Sequence, residues 1–389
     1  MKTLGLYLHI PFCLSKCKYC DFYSIPVASE ALKDKYVQAL ISHMEEYSIQ
    51  SKEFVVNSIF FGGGTPSLLN EVQIKLLMKK IKSLFRVSKN CEISMEINPG
   101  TVDYLKLKML KKVGINRLSL GMQSFENKDL EICSRAHNAD DSFKCITEAQ
   151  RVGFRNISID LMYGIPGQTL QNVVDNINTA IALDIQHISL YGLKVEPGTP
   201  FWFDRHTLPF PDEEEERSMY FTSVGLLSKA GFSQYEISNF AKKGYRCSHN
   251  LKYWNCDEYI GLGPGAHSYF AGKRFSFKKD INLYVDSFDP EKKVSEQLLD
   301  EYIDIPYPSR VAEYVMLRFR LSSGISLAAF KKRFGRDFDE IYYDRIAPFL
   351  QSGHIIKTSR GYAFTPEGMY VSNYILSRIV DFDLIIPGN

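Results

Sequence analysis

Tyr7-Leu8-His9-Ile10-Pro11-Phe12-Cys13-Leu14-Ser15-Lys16-Cys17-Lys18-Tyr19-Cys20-Asp21-Phe22-Tyr23-Ser24 packs three of the chain's eight cysteines into one loop, spaced Cys13-x3-Cys17-x2-Cys20. Buried structural thiols have no reason to bunch like this. Thiolates are soft ligands that select iron–sulfur clusters, zinc or copper(I). A cubane cluster usually takes four cysteines, one per iron, so three ligands leave one iron open to a small molecule. Zinc is the competing reading, but a structural zinc wants four ligands, and no second Cys-x2-Cys pair exists here. The remaining cysteines are scattered. Cys91, Cys133 and Cys145 lie in periodic apolar segments and are expected to be core or bland surface residues.

Outward from this loop the pattern alternates. Apolar strand-like runs are read at Leu4 to Ile10, Asn57 to Phe61, Glu92 to Ile97, Arg117 to Met122, Ile157 to Met162 and His187 to Leu193. Helical spacing separates them at 30–47, 69–85, 102–113, 140–152 and 170–183. His43 is expected on the outer face of the first helix. Six strands alternating with five helices argue for a parallel sheet with crossover helices, an α/β fold. Periodicity alone leaves open whether the sheet is flat or curls into a barrel. Asp212 to Glu216 reads as a solvated, charged helix start. Beyond Tyr307-Pro308-Ser309 the pattern gives helix, helix, two short strands around Arg360-Gly361 and a final helix, a small C-terminal α+β module of winged-helix type. The divisions expected are 1–205, 206–306 and 307–389. That accords with 389 residues at a prior of about 150 per domain.

Composition narrows the class. Hydrophobic residues make up 45% of the chain, enough for a large core, so overall disorder is excluded. A net charge of +2 argues against a domain held mainly to phosphate backbones, and no nucleic-acid partner is expected. No apolar run approaches the ~18 residues of a membrane span. The first residues are too polar for a secretory signal. A cytoplasmic protein is expected, with peripheral membrane contact left open.

The quoted stretch resembles the cluster loop of radical S-adenosylmethionine (SAM) proteins, in particular the branch holding oxygen-independent coproporphyrinogen III dehydrogenases and HemW-type haem chaperones. The resemblance covers roughly Tyr7 to Tyr269, with a weaker echo in the C-terminal module. It implies a partial (β/α)6 barrel, open on one side. It also implies a [4Fe–4S] cluster on Cys13, Cys17 and Cys20, with SAM chelating the open iron. An aromatic residue precedes the third cysteine in that superfamily, as Tyr19 does here.

Functional residues of parallel barrels gather at the C-terminal strand ends. Gly62-Gly63-Gly64-Thr65-Pro66 ends the second strand run, where glycines let backbone approach a ligand; a lone glycine run is also often just a tight turn. Glu96 ends the third run, Gln123 the fourth, and Asp160 lies near the end of the fifth. An inward carboxylate is costly unless paired, so a structural ion pair such as Asp160 with Arg135 is the plain alternative. By resemblance, Tyr7, Gly63, Gly64, Thr65, Glu96, Gln123, Arg135 and Asp160 are SAM contacts, and Leu193 offers its backbone to the adenine.

Two functions share this scaffold. The dehydrogenase pattern carries a further cysteine two residues after the third, where this chain has Phe22. The dehydrogenases also place an extra segment before the first strand, for which this sequence has no room. Both departures favour the chaperone branch, and dehydrogenase activity is not expected. Ser248-His249-Asn250-Leu251-Lys252-Tyr253-Trp254 resembles a HemW-type His-Asn-x-x-Tyr-Trp motif. It implies haem as a cofactor, a haem-accepting apo-protein as partner, and His249 as an iron ligand. The alternatives are that His249 packs locally as a structural residue, or that Cys247, His249 and Cys256 hold zinc, at a spacing that fits no structural zinc pattern.

Overall fold

In the computed structural model, which describes residues 2–26, 28–287 and 295–382, the six expected strands all form. They are β1 (Lys2–Ile10), β2 (Phe54–Gly63), β3 (Val87–Ile97), β4 (Arg117–Gln123), β5 (Ile157–Tyr163) and β6 (His187–Gly192). Between them run α1 (Glu30–Gln50), α2 (Glu71–Leu84), α3 (Tyr104–Val113), α4 (Ala139–Val152) and α5 (Leu170–Ala182). Local chemistry sets several helix starts. Asn70 with Gln73, Asn138 with Asp141 and Thr169 with Asn172 form capping boxes, each satisfying backbone N–H groups that the first turn leaves free. Neighbouring strands from β1 to β6 pair in parallel, as right-handed crossovers through helices require.

The rest of the chain extends this sheet on both sides. After α6 (Glu213–Lys229) come β7 (Asn239–Ala241), α7 (Ser248–Asn255), β8 (Tyr259–Leu262), β9 (His267–Phe270), β10 (Lys273–Phe277), α8 (Ile281–Ser287) and β11 (Leu299–Asp304). β8 is a seventh parallel strand, laid on the free side of β1. The order is β11-β10-β9-β8-β1-β2-β3-β4-β5-β6-β7, finished by the short strand Ser233–Gln234. β7 pairs antiparallel with β6, and β9 antiparallel with β8, so the two ends do not meet and the barrel stays open. The acidic run starts α6 as expected, with Asp212 and Glu215 in a capping box.

The C-terminal module has its own core, centred on Val315, Phe319, Phe330, Tyr342 and Phe364. It contains α9 (Tyr307–Phe319), β12 (Ile325–Ser326), α10 (Leu327–Phe334), α11 (Phe338–Gln351), β13 (Ile355–Lys357) and β14 (Gly361–Phe364). The strands form a small sheet in the order β12-β14-β13. This is a winged-helix-like α+β arrangement with one helix more than expected before its hairpin. Gly335, at φ +69°, ends α10 and lets α11 begin almost at once, a turn too short to separate by periodicity. Residues 383–389, assigned to this module from the sequence, lie outside the described residues.

One expectation fails clearly. His43 is not on an exterior face. It is fully buried, hydrogen-bonded through Nδ1 to the Tyr284 hydroxyl at 3.0 Å and set edge-on against Phe277. α8 and β10, far along the chain, cover the side of α1 that a lone helix would expose.

Candidate functional site

The cluster loop leaves β1 at the C-terminal end of the parallel sheet and folds over it. Gly64 donates its N–H to Ile10 O and Thr65 to Phe12 O, clamping the glycine loop after β2 to the cluster strand. These contacts need glycine. Gly63 has φ +114°, and a Cβ there would lie 2.6 Å from the His9 ring; one on Gly64 would lie 2.6 Å from Phe12 O. Thr65 Oγ1 in turn reaches Cys13 Sγ at 3.8 Å.

Arg135 braces the other side of the loop. It donates to Cys17 Sγ and to the Tyr19 hydroxyl, both at 3.3 Å, and to Asn98 Oδ1 and Gly121 O, both at 2.6 Å. Asn98 donates to Thr65 Oγ1 at 2.7 Å, so one amide links the glycine loop to the arginine. Asn98 is not among the residues singled out from the sequence. Its place two residues after Glu96, at a strand end, was the available signal. No ion pair joins Asp160 to Arg135: the guanidinium is spent on the loop, and Asp160 accepts from the Ser119 hydroxyl instead.

Inside the sheet's curve lies a cavity of about 200 Å³ lined by Tyr7, Glu96, Arg117, Asp160, Tyr191 and His249, among others. Glu96 accepts the Gly63 N–H at 3.0 Å. Burial, reinforced by the charge of Asp160, pushes the Glu96 carboxyl up to about 8. Asp160 is also raised by burial, with hydrogen bonds and Arg117 opposing. Arg117 is itself buried, at the start of β4, and is not among the site residues expected from the sequence. Two carboxyls facing one enclosed space are poised for groups that donate N–H or O–H.

The nine residues assigned to SAM thus divide. Tyr7, Glu96 and Asp160 share this cavity. Thr65 and Arg135 line a second, small one with Cys17. Gly63 and Gly64 join the two through the loop. Gln123 lies on the wall of neither cavity; a register shift between Gly121 and Gln123 leaves it at φ +68°, a strained value for a residue with a side chain. Leu193 lines neither, and its N–H is bonded to Tyr163 O at 2.8 Å.

The three loop cysteines are partly exposed, whereas Cys91, Cys133 and Cys145 are buried, as expected of core thiols. Among the described residues no three His, Cys, Asp or Glu side chains converge on a point that could hold a single ion. A cubane asks for no such point, since each thiolate binds a different iron. The donor set of the loop, soft thiols beside an N–H donor from Arg135, fits that kind of group. The alternative zinc set is not assembled. Cys247 Sγ faces Glu92, His249 is bonded elsewhere, and Cys256 caps the far end of α7 against the C-terminal core.

His249 is 1% exposed and has both ring nitrogens engaged. Nδ1 is 3.0 Å from the Ser58 hydroxyl and Nε2 is 2.9 Å from the Tyr253 hydroxyl. The ring also stacks on Phe60 and Tyr7. As folded, it must give up one hydrogen bond before it can ligate anything.

An open parallel sheet with a three-cysteine loop over its C-terminal edge is the architecture of the radical SAM superfamily, and residues 7–180 match that superfamily's model. Residues 308–371 match the HemN C-terminal domain. The solved structure of coproporphyrinogen III oxidase (HemN) from Escherichia coli superposes with a TM-score of 0.85, covering 98% of this chain and 91% of that one at 22% identity. Two full-length relatives are closer in sequence. The heme chaperone HemW of Bacillus subtilis (strain 168) is 37% identical over 96% of this chain and 98% of its own. That of Escherichia coli (strain K12) is 32% identical over 97% and 98%. The chain belongs to the HemW family.

Proposed function

We propose that this protein binds haem and delivers it to a haem-accepting apo-protein, on a scaffold that also holds a [4Fe–4S] cluster and SAM. The observation that carries this reading is the near full-length similarity to proteins named heme chaperone HemW. Phe22 in place of a further cysteine agrees with it. Cys13, Cys17 and Cys20 are the cluster ligands in this reading. The bound cluster supplies an iron with an open coordination position, to which SAM can chelate.

The chain's own residues would then orient SAM. The N–H groups of Gly63, Gly64 and Thr65 are already given to protein acceptors. An amino group entering here would therefore meet carbonyl oxygens and the Glu96 carboxyl. Tyr7 and Asp160 border the same cavity and would face the rest of SAM, with Gln123, Arg135 and the Leu193 backbone around it. His249 is proposed on the haem side of this scaffold, through its contact with Tyr253. The divisions 1–205, 206–306 and 307–389 are part of the proposal, the last beginning with α9. No described helix is long and apolar enough to cross a membrane, and a cytoplasmic location is part of the proposal.

The test is an anaerobic assay on reconstituted protein, with haem and coproporphyrinogen III offered in parallel. Saturable, stoichiometric haem binding without turnover of coproporphyrinogen III is expected. Repeated conversion to protoporphyrinogen IX, or no saturable haem binding, refutes the reading.

A further inference from the structure

The cavity beside Glu96 is not the molecule's largest. A cleft of about 730 Å³ opens between the mouth of the sheet and the C-terminal module. This is within the roughly 300–1,000 Å³ of small-molecule sites. One end is formed by Asp21, Phe22 and Tyr23, which directly follow the last loop cysteine. The opposite wall comes from α9 and α10 of the C-terminal module.

Its lining is unusually aromatic. Phe22, Tyr253, Trp254, Tyr269, Tyr307 and Phe334 face it from both sides. Phe22 is 65% exposed, a large apolar surface left uncovered at the cleft's edge. Such walls suit a broad, flat, apolar ligand.

The polar groups are more selective. Arg274 is neutralised by a two-pronged pair with Glu313, and Arg333 donates to the backbone oxygens of Asn255 and Cys256. Lys279 and Arg310 have neither kind of partner among the described residues, and both are exposed. One follows β10 and the other stands on α9, so the two cations face the cleft from different parts of the fold. Two histidines also line it. His9 is buried and held by the Tyr7 hydroxyl and Tyr23 O. His267, on β9, is exposed and its ring makes no hydrogen bond among the described residues. Asp21 and Asp257 line the cleft as well, so it is not uniformly cationic.

We propose that this cleft is the tetrapyrrole site, with His267 facing the metal and Lys279 and Arg310 each taking one of two carboxylates. The assignment rests on the haem-chaperone reading above and gives that ligand a place distinct from the Glu96 cavity. A dicarboxylate held this way would tie the C-terminal module to the sheet. It would also leave one edge of the ligand open toward an acceptor, as a carrier requires.

The full-length, cluster-loaded protein is titrated anaerobically with haemin, iron-free protoporphyrin IX and protoporphyrin IX dimethyl ester. His267→Ala should change the haemin Soret band, with added imidazole restoring it, and should leave iron-free protoporphyrin affinity unchanged. Lys279→Glu and Arg310→Glu should each weaken haemin and protoporphyrin binding by about tenfold or more, the scale of one charge-assisted hydrogen bond. The dimethyl ester, lacking carboxylates, should not respond to either. All three positions are exposed, and a melt at the parental temperature checks each fold; His267→Gln stands in if His267→Ala fails it. If the parent binds haemin one to one but these variants match it, the cleft assignment is wrong while the haem reading survives. A Soret change in His249→Gln with none in His267→Ala likewise overturns it in favour of the buried histidine. No saturable binding of haemin by the parent defeats both.

Discussion

Replacing His249 by alanine separates a residue that cements the fold from one kept free for a ligand. The ring sits between the Ser58 and Tyr253 hydroxyls, and removing it leaves both without that partner. A buried hydroxyl left unpaired costs about 1–3 kcal/mol. The lost packing on Phe60 and Tyr7 adds about 2 kcal/mol, the lower end for a large-to-small core change. The sum, about 4–8 kcal/mol, is a large share of the 5–15 kcal/mol that folded domains typically have. At about 2 °C per kcal/mol for a chain of this size, the melting temperature should fall by roughly 10 °C. His249→Gln, which can keep one of the two hydrogen bonds, should lose about half as much. The assay is a thermal melt followed by circular dichroism, on protein without haem so that ligand binding does not contribute. If His249→Ala melts within about 2 °C of the parent, the structural account of this ring is wrong.

Replacing Cys13, Cys17 or Cys20 by alanine should each abolish cluster absorbance and bound iron after anaerobic reconstitution, whereas Cys145→Ala should keep both; iron and sulfide analysis decides. Arg135→Lys keeps the charge but cannot reach four acceptors, so it should lower cluster retention and cost about 2–4 kcal/mol in a denaturant titration. Burial holds His43 and His249 down to about 3 and His9 down to about 4, so all three are neutral when folded and protonate first when unfolded. Stability should therefore be full above the unfolded value near 6.5 and fall below it, by about 1.4 kcal/mol per pH unit for each. Glu96, raised to about 8, works against one of them, since its folded form gains protons as pH falls from 8 toward 4.5. Denaturant midpoints between pH 7 and pH 4.5 should drop steeply; a flat profile would show that these rings are not held neutral.

The sequence alone determined what depends on near neighbours. The spacing of Cys13, Cys17 and Cys20 is chemistry within one loop, and the six strand runs are periodicities of a few residues, so both could be read without a fold. Capping pairs such as Asn138 with Asp141 are legible for the same reason. Tertiary structure decided what depends on distant segments. His43 looks outward on its helix until Phe277 and Tyr284 cover it. His249 looks like a free imidazole until Ser58, 191 residues away, takes one nitrogen. Arg135 looks like a partner for Asp160 until Asn98 and Gly121 claim it first. β8 joins the parallel sheet only because β1 leaves an edge for it, and Lys279 and Arg310 face one cleft only because the C-terminal module docks over the sheet. Helix and strand periods record which way a side chain points along its own segment. They carry no record of which other segment comes to meet it.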